Sequence, residues 1–71
     1  MEERKPTLRE LRDRRCCSVS EVARALGRPE NTVYRWERGE MVPSVLHALA
    51  LAQFYRVGVE EVNWWPHGLR D

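Results

Sequence analysis

Glu30, Asn31, Tyr34, Arg35 and Arg38 are spaced so that a helix would carry all five on one side. Their chemistry is that of hydrogen-bonded recognition, not of bond making. A carboxamide such as that of Asn31 matches the paired donor and acceptor on the edge of adenine. A guanidinium such as that of Arg35 matches the two acceptors of guanine. Glu30 can accept from a cytosine amino group, or it can simply oppose the helix dipole. Tyr34 can touch a thymine methyl group or a phosphate. The bland reading of Arg35 is a solvated helix face. Thr32 lies near the helix start, where its hydroxyl can bond a phosphate or cap the helix.

Phosphate contacts supply most of the affinity in such recognition. Arg38, the backbone amides near Gly39, and Ser44 at the head of a later helix are the candidates. Arg4 and Lys5 can add contacts to phosphate or the minor groove, or stay in an inert tail. Glu37 and Glu40 bring negative charge to the same region, and Glu40 has no role in this scheme.

The 71 residues allow one domain, near the lower size limit for independent folding. Twelve basic and eleven acidic residues give a net charge of +1. That balance argues only weakly for nucleic acid, because placement of charge matters more than its sum. Lys5 is the only lysine, so the basic side chains are nearly all arginine, the better bidentate donor. Genomic base composition explains the same bias. No nucleophile–base pair, paired carboxylates, phosphate loop or metal cluster points to an enzyme, and no cofactor is implied. Cys16 and Cys17 are adjacent and expected to stay reduced, while His47 and His67 show no metal-ligand spacing. With no membrane-length apolar run and no cleavable signal, the expected location is the cytoplasm.

These residues need helices to position them, and helix signals recur along the chain. Residues 1–6 read as a flexible arm. Thr7 with Glu10 forms a capping box ahead of a helix from about Leu8 to about Arg15. Ser18 with Glu21 repeats the signal, with Cys17 and Val22 at hydrophobic-staple positions. That second helix carries Val22, Ala23 and Leu26 on one face and stops at Gly27. Only Arg28 separates Gly27 from Pro29, which opens a third helix holding Val33 and Trp36 as inward support and ending at Gly39. Two short helices joined by a tight glycine turn are the signature of a helix-turn-helix. Pro43 and Ser44 open a fourth helix, with Val45, Ala48, Leu49, Ala52 and Tyr55 as the expected inward stripe. His47 is expected to face solvent. A loop with Val57 and Gly58 leads to a last turn at Val59–Val62. The fold class is therefore all-α: a compact domain of four to five helices over residues 7–62, followed by a tail at 63–71.

The text Leu11-Arg12, SEVARALG at Ser20–Gly27, NTVYRWERG at Asn31–Gly39, Pro43-Ser44 and VGVEEV ending at Val62 resembles the lambda-repressor and Cro-like helix-turn-helix domains, the XRE family. The resemblance implies a third helix lying in the major groove of double-stranded DNA. It implies that Ala23 packs at the crossing of the two motif helices, that Val33 plugs the core, and that Arg12 pairs with Glu37. It also implies transcriptional regulation, most simply repression, by a homodimer on a palindromic operator.

Three positions depart from the family's pattern. Cys16 stands where glycine is usual, and a left-handed backbone there would cost about 1 kcal/mol relative to glycine. Val19 stands where a phosphate-binding glutamine is common. Pro29 replaces a capping serine or threonine.

A dimer needs a contact, and Trp64 and Trp65, supported by Phe54 and Leu46, are the candidates. The alternative for Trp64 is a fold back onto the core. An antitoxin or protein-interaction module on the same fold is the competing function. The sequence identifies no small-molecule effector.

Overall fold

A computed structural model describes residues 5–64; Met1–Arg4 and Trp65–Asp71, and with them Arg4 of the arm and Trp65 of the tail, lie outside the described residues. The described residues form four α-helices and one 3₁₀ turn: α1 (Leu8–Arg14), α2 (Val19–Leu26), α3 (Glu30–Arg38), α4 (Val45–Tyr55) and Val59–Glu61. The fold is all-α.

The helix starts follow their caps. Thr7 Oγ1 accepts from the Glu10 N–H at 3.2 Å, and the Glu10 carboxylate accepts from the Thr7 N–H at 2.9 Å. Ser18 and Glu21 make the same reciprocal pair at 3.1 and 2.7 Å. Each box satisfies two amides that a helix start leaves open. Pro29 precedes α3 and makes no side-chain cap bond. With φ −64° set by its ring and ψ 152°, it is the extended residue just outside the first turn, which Glu30 begins.

The helix ends share one device. The N–H groups of Cys17, Arg28, Glu40 and Val57 reach back to the carbonyls of Arg12, Ala23, Arg35 and Ala52 at 2.9–3.1 Å. Each such bond needs a left-handed residue just before its donor. Those residues are Cys16 (φ 54°), Gly27 (φ 65°), Gly39 (φ 77°) and Arg56 (φ 58°). Two of the four are glycine, which adopts this backbone freely; the other two hold it against a steric cost. In the last loop the left-handed residue is Arg56 and not Gly58. Gly58 has an ordinary extended backbone, and its N–H donates to the Glu61 carboxylate at 2.7 Å.

The core is formed by Leu8, Leu11, Val22, Val33, Trp36, Leu51, Tyr55 and Val62, with Val19 and Ala23 also buried. Ala23 lies on α2, which packs most extensively against α3. Val19 faces inward, so the apolar residue in the usual glutamine position serves packing. Cys17 packs against the same core.

One expectation fails in α4. Val45 and Leu49, placed on the inward stripe, are 74% and 50% exposed. The buried stripe is Leu51, Ala52 and Tyr55, with Ala48 half-buried. α4 is apolar on every side, so its period carries no orientation; packing against α2 and the 3₁₀ turn decides it.

Two contacts bring the ends of the described chain together. The Asn63 N–H donates to the Pro6 carbonyl at 2.8 Å, within an isolated parallel bridge between Thr7 and Asn63. Trp64 then packs against the core, its indole N–H donating to the Val59 carbonyl at 2.9 Å. Of the two placements open for Trp64, the structure has the fold back onto the core.

Candidate nucleic-acid interface

The α2–turn–α3 unit is built around a short connection. Gly27 turns the chain in the left-handed region, Arg28 closes α2, and Pro29 opens α3. Val33 and Trp36 point α3's inner face into the core, almost wholly buried. The opposite face leaves Glu30, Asn31, Tyr34, Arg35 and Arg38 exposed, with Thr32 half-buried. The structure thus brings all the candidate base-reading residues onto one open helix face. A convex helix bearing an amide, a phenol and guanidinium groups can present donors and acceptors to a groove edge.

Arg12 fixes the attitude of this helix. Its Nε donates to Glu37 Oε2 at 2.6 Å, and its Nη2 donates to Oε1 at 3.1 Å. A third donor, Nη1, reaches the Cys17 carbonyl at 3.2 Å. One guanidinium therefore ties α1, the α1–α2 turn and α3. The two side chains are only 15% and 5% exposed. The hydrogen bond to Glu37 raises the Arg12 pKa above its ordinary value, outweighing desolvation. Tyr55 of α4 is buried close by. Desolvation, reinforced by the Glu37 charge, pushes its phenol well above the usual tyrosine range. Glu37 is turned inward and paired, as the resemblance implies.

Glu40 also gains an account. Its carboxylate meets Arg38 Nε at 3.2 Å in an exposed pair. Such a pair is weak in water, and a phosphate can displace the carboxylate at little cost. Among the phosphate candidates, the Gly39 N–H donates to the Arg35 and Trp36 carbonyls at the end of α3. Ser44 is engaged as well: its Oγ accepts from the His47 N–H at 3.3 Å and lies 3.0 Å from His47 Nδ1.

His47 itself corrects a simple expectation. It is half-buried, and its ring meets Trp36 with centroids 5.3 Å apart at a 42° tilt. Ser44, His47 and Trp36 form a side-chain chain from the head of α4 to the underside of α3. No periodicity marked His47, because its partner comes from another helix. Phe54 is half-buried against Tyr55 in an edge-to-face contact, whereas Leu46 is exposed. Cys16 and Cys17 are free thiols. No helix among the described residues is long and apolar enough to cross a membrane.

Comparison with known proteins gives one finding of substance. Residues 7–65 match the family described as "Helix-turn-helix domain". Neither the search of curated proteins nor the search of solved structures finds a match.

Proposed function

We propose, from the premise that this chain belongs to the helix-turn-helix domain family, that it binds double-stranded DNA in a sequence-specific way and regulates transcription. In this reading it is a lambda-repressor-like, XRE-type repressor without catalytic activity, working in the cytoplasm as a homodimer on a palindromic operator. The observation that carries the reading is the two-sided character of α3. Val33 and Trp36 lock one side into the core, and Asn31, Tyr34 and Arg35 stand free on the other. A helix with that division fits the major groove with its first turns at the base edges. Glu30 accepts at a cytosine, Asn31 pairs with adenine, Arg35 with guanine, and Tyr34 lies against a thymine methyl group or phosphate. Thr32, Arg38 and Ser44 supply phosphate contacts, with Arg38 released from Glu40 on binding.

The test is selection of bound sequences from a random duplex pool, with affinity followed against salt. The reading expects an enriched motif of two related half-sites and affinity that falls steeply as salt rises. A pool without enrichment, bound weakly and with no salt dependence, would overturn it. A second reading, an antitoxin or protein-interaction module, draws support from the exposed apolar residues between Met41 and Leu49. It expects the salt-insensitive outcome.

A further inference from the structure

Fifteen consecutive residues, Met41–Tyr55, contain no Asp, Glu, Lys or Arg, in a chain where 32% of residues are charged. This stretch forms the loop after α3 and the whole of α4. Half of it is core, but the outward half is apolar too. Val45, Leu46 and Leu49 are 74%, 78% and 50% exposed, and Met41 and Val42 continue the surface into the loop. They are the largest exposed hydrophobic side chains among the described residues, apart from Tyr34. Beside this ridge, α2 and α4 leave a shallow groove of about 260 Å³, lined by Ala25, Leu26, Ala50, Gln53 and Phe54.

We propose that this α4 face binds a second copy of the same chain, the Leu46–Leu49 ridge of each copy seating in the Ala25–Ala50 groove of the other about a two-fold axis. The inference rests on the dimeric reading above and moves its contact from the tail to α4. Two features select this occupant. A two-fold contact places one surface against itself, so it must carry both a projection and the recess that receives it. The ridge and the groove meet at α4, and Ala50 and Gln53 adjoin Leu46 and Leu49 on that helix. Near the axis, each side chain also meets its own copy. Any charge there would face its like, and an uncharged stretch of this length avoids that repulsion. Trp64 is already engaged with the core, which leaves the α4 face as the larger apolar surface without a partner.

The test uses the full chain. Sedimentation is measured over a range of concentrations for wild type, Leu46→Glu, Leu49→Glu and Ala25→Trp, with thermal melting as the control for folding. The proposal expects a concentration-dependent dimer for wild type and a monomer for each variant. The first two variants place like charges at the contact, and the third fills the groove. Leu46 is so exposed that its variant should melt as wild type does. On duplexes with one or two half-sites, single-site affinity should stay unchanged in Leu46→Glu, while coupling between two sites falls by roughly tenfold. Sedimentation needs no DNA, so failure of the dimer and failure of DNA binding are read separately. A wild type that stays monomeric and shows no two-site coupling would overturn the proposal, as would variants that dimerise like wild type. Leu46-dependent binding to neutral phospholipid vesicles by a monomeric chain would assign the face to a lipid surface and overturn it equally.

Discussion

Glu37 receives two donors from the single guanidinium of Arg12, across 25 residues of sequence and between α1 and α3. This pair is nearly closed to solvent, whereas the Arg9–Asp13 pair on α1 spans 4.0 Å with both side chains more than 60% exposed. Arg12→Ala leaves Glu37 poorly compensated, a loss of up to about 3–5 kcal/mol for a fully buried pair and somewhat less here. Arg9→Ala should change stability by less than about 1 kcal/mol. Thermal melting of both variants checks the contrast, and equal shifts would contradict it.

The left-handed residues divide into two that suit their backbone and two that do not. Cys16→Gly and Arg56→Gly should each raise stability, by up to about 1 kcal/mol or roughly 4–8 °C in a domain of this size. Neither side chain is buried, so little packing is lost. Melting temperatures that fall in both variants would show that side-chain contacts outweigh the backbone strain.

On DNA, Arg35→Ala should cost about 1–3 kcal/mol at the preferred site and relax the preference at one base pair. Arg38→Ala should weaken preferred and random duplexes alike and reduce the salt slope. Binding selection repeated with each variant separates the two roles. A selected motif unchanged in Arg35→Ala would remove Arg35 from base reading.

Tyr55 links stability to alkaline pH. An unfolded tyrosine starts to lose its proton at its ordinary pKa of 10.0, while burial makes the folded protein hold that proton to higher pH. Above pH 10 the native state therefore binds more protons, and stability falls as pH rises, by at most about 1.4 kcal/mol per pH unit. The raised pKa of Arg12 acts in the same direction at still higher pH. Between pH 9 and 11, Tyr55→Phe should lose less of its melting temperature than wild type. An identical slope would show that the buried phenol does not control the alkaline limit.

Local chemistry made much of this fold legible in sequence. Thr7 with Glu10, Ser18 with Glu21, Gly27, Pro29 and Gly39 mark helix ends by bonds between near neighbours, and the helices begin and end there. The open face of α3 was legible for the same reason, because Val33 and Trp36 fix its opposite side. α4 was not legible, since a helix apolar all round has no preferred face until others pack on it. Leu51, among the most buried side chains, was missed for that reason. The Trp36–His47 contact and the Arg38–Glu40 pair depend on how loops and helices meet.

The bond from Asn63 to Pro6 makes the described chain a nearly closed ring, with entry and exit side by side. The bridge is parallel, so the segments before Pro6 and after Trp64 point in opposite directions from neighbouring positions, and a linker joining them has only to double back over a few residues. Circular permutation should be tolerated: a short linker from 64 to 6, with new ends opened at the exposed Glu40–Met41 link, keeps every helix intact. Much of the entropy of bringing the old ends together is already lost on folding, which makes the linker inexpensive to close.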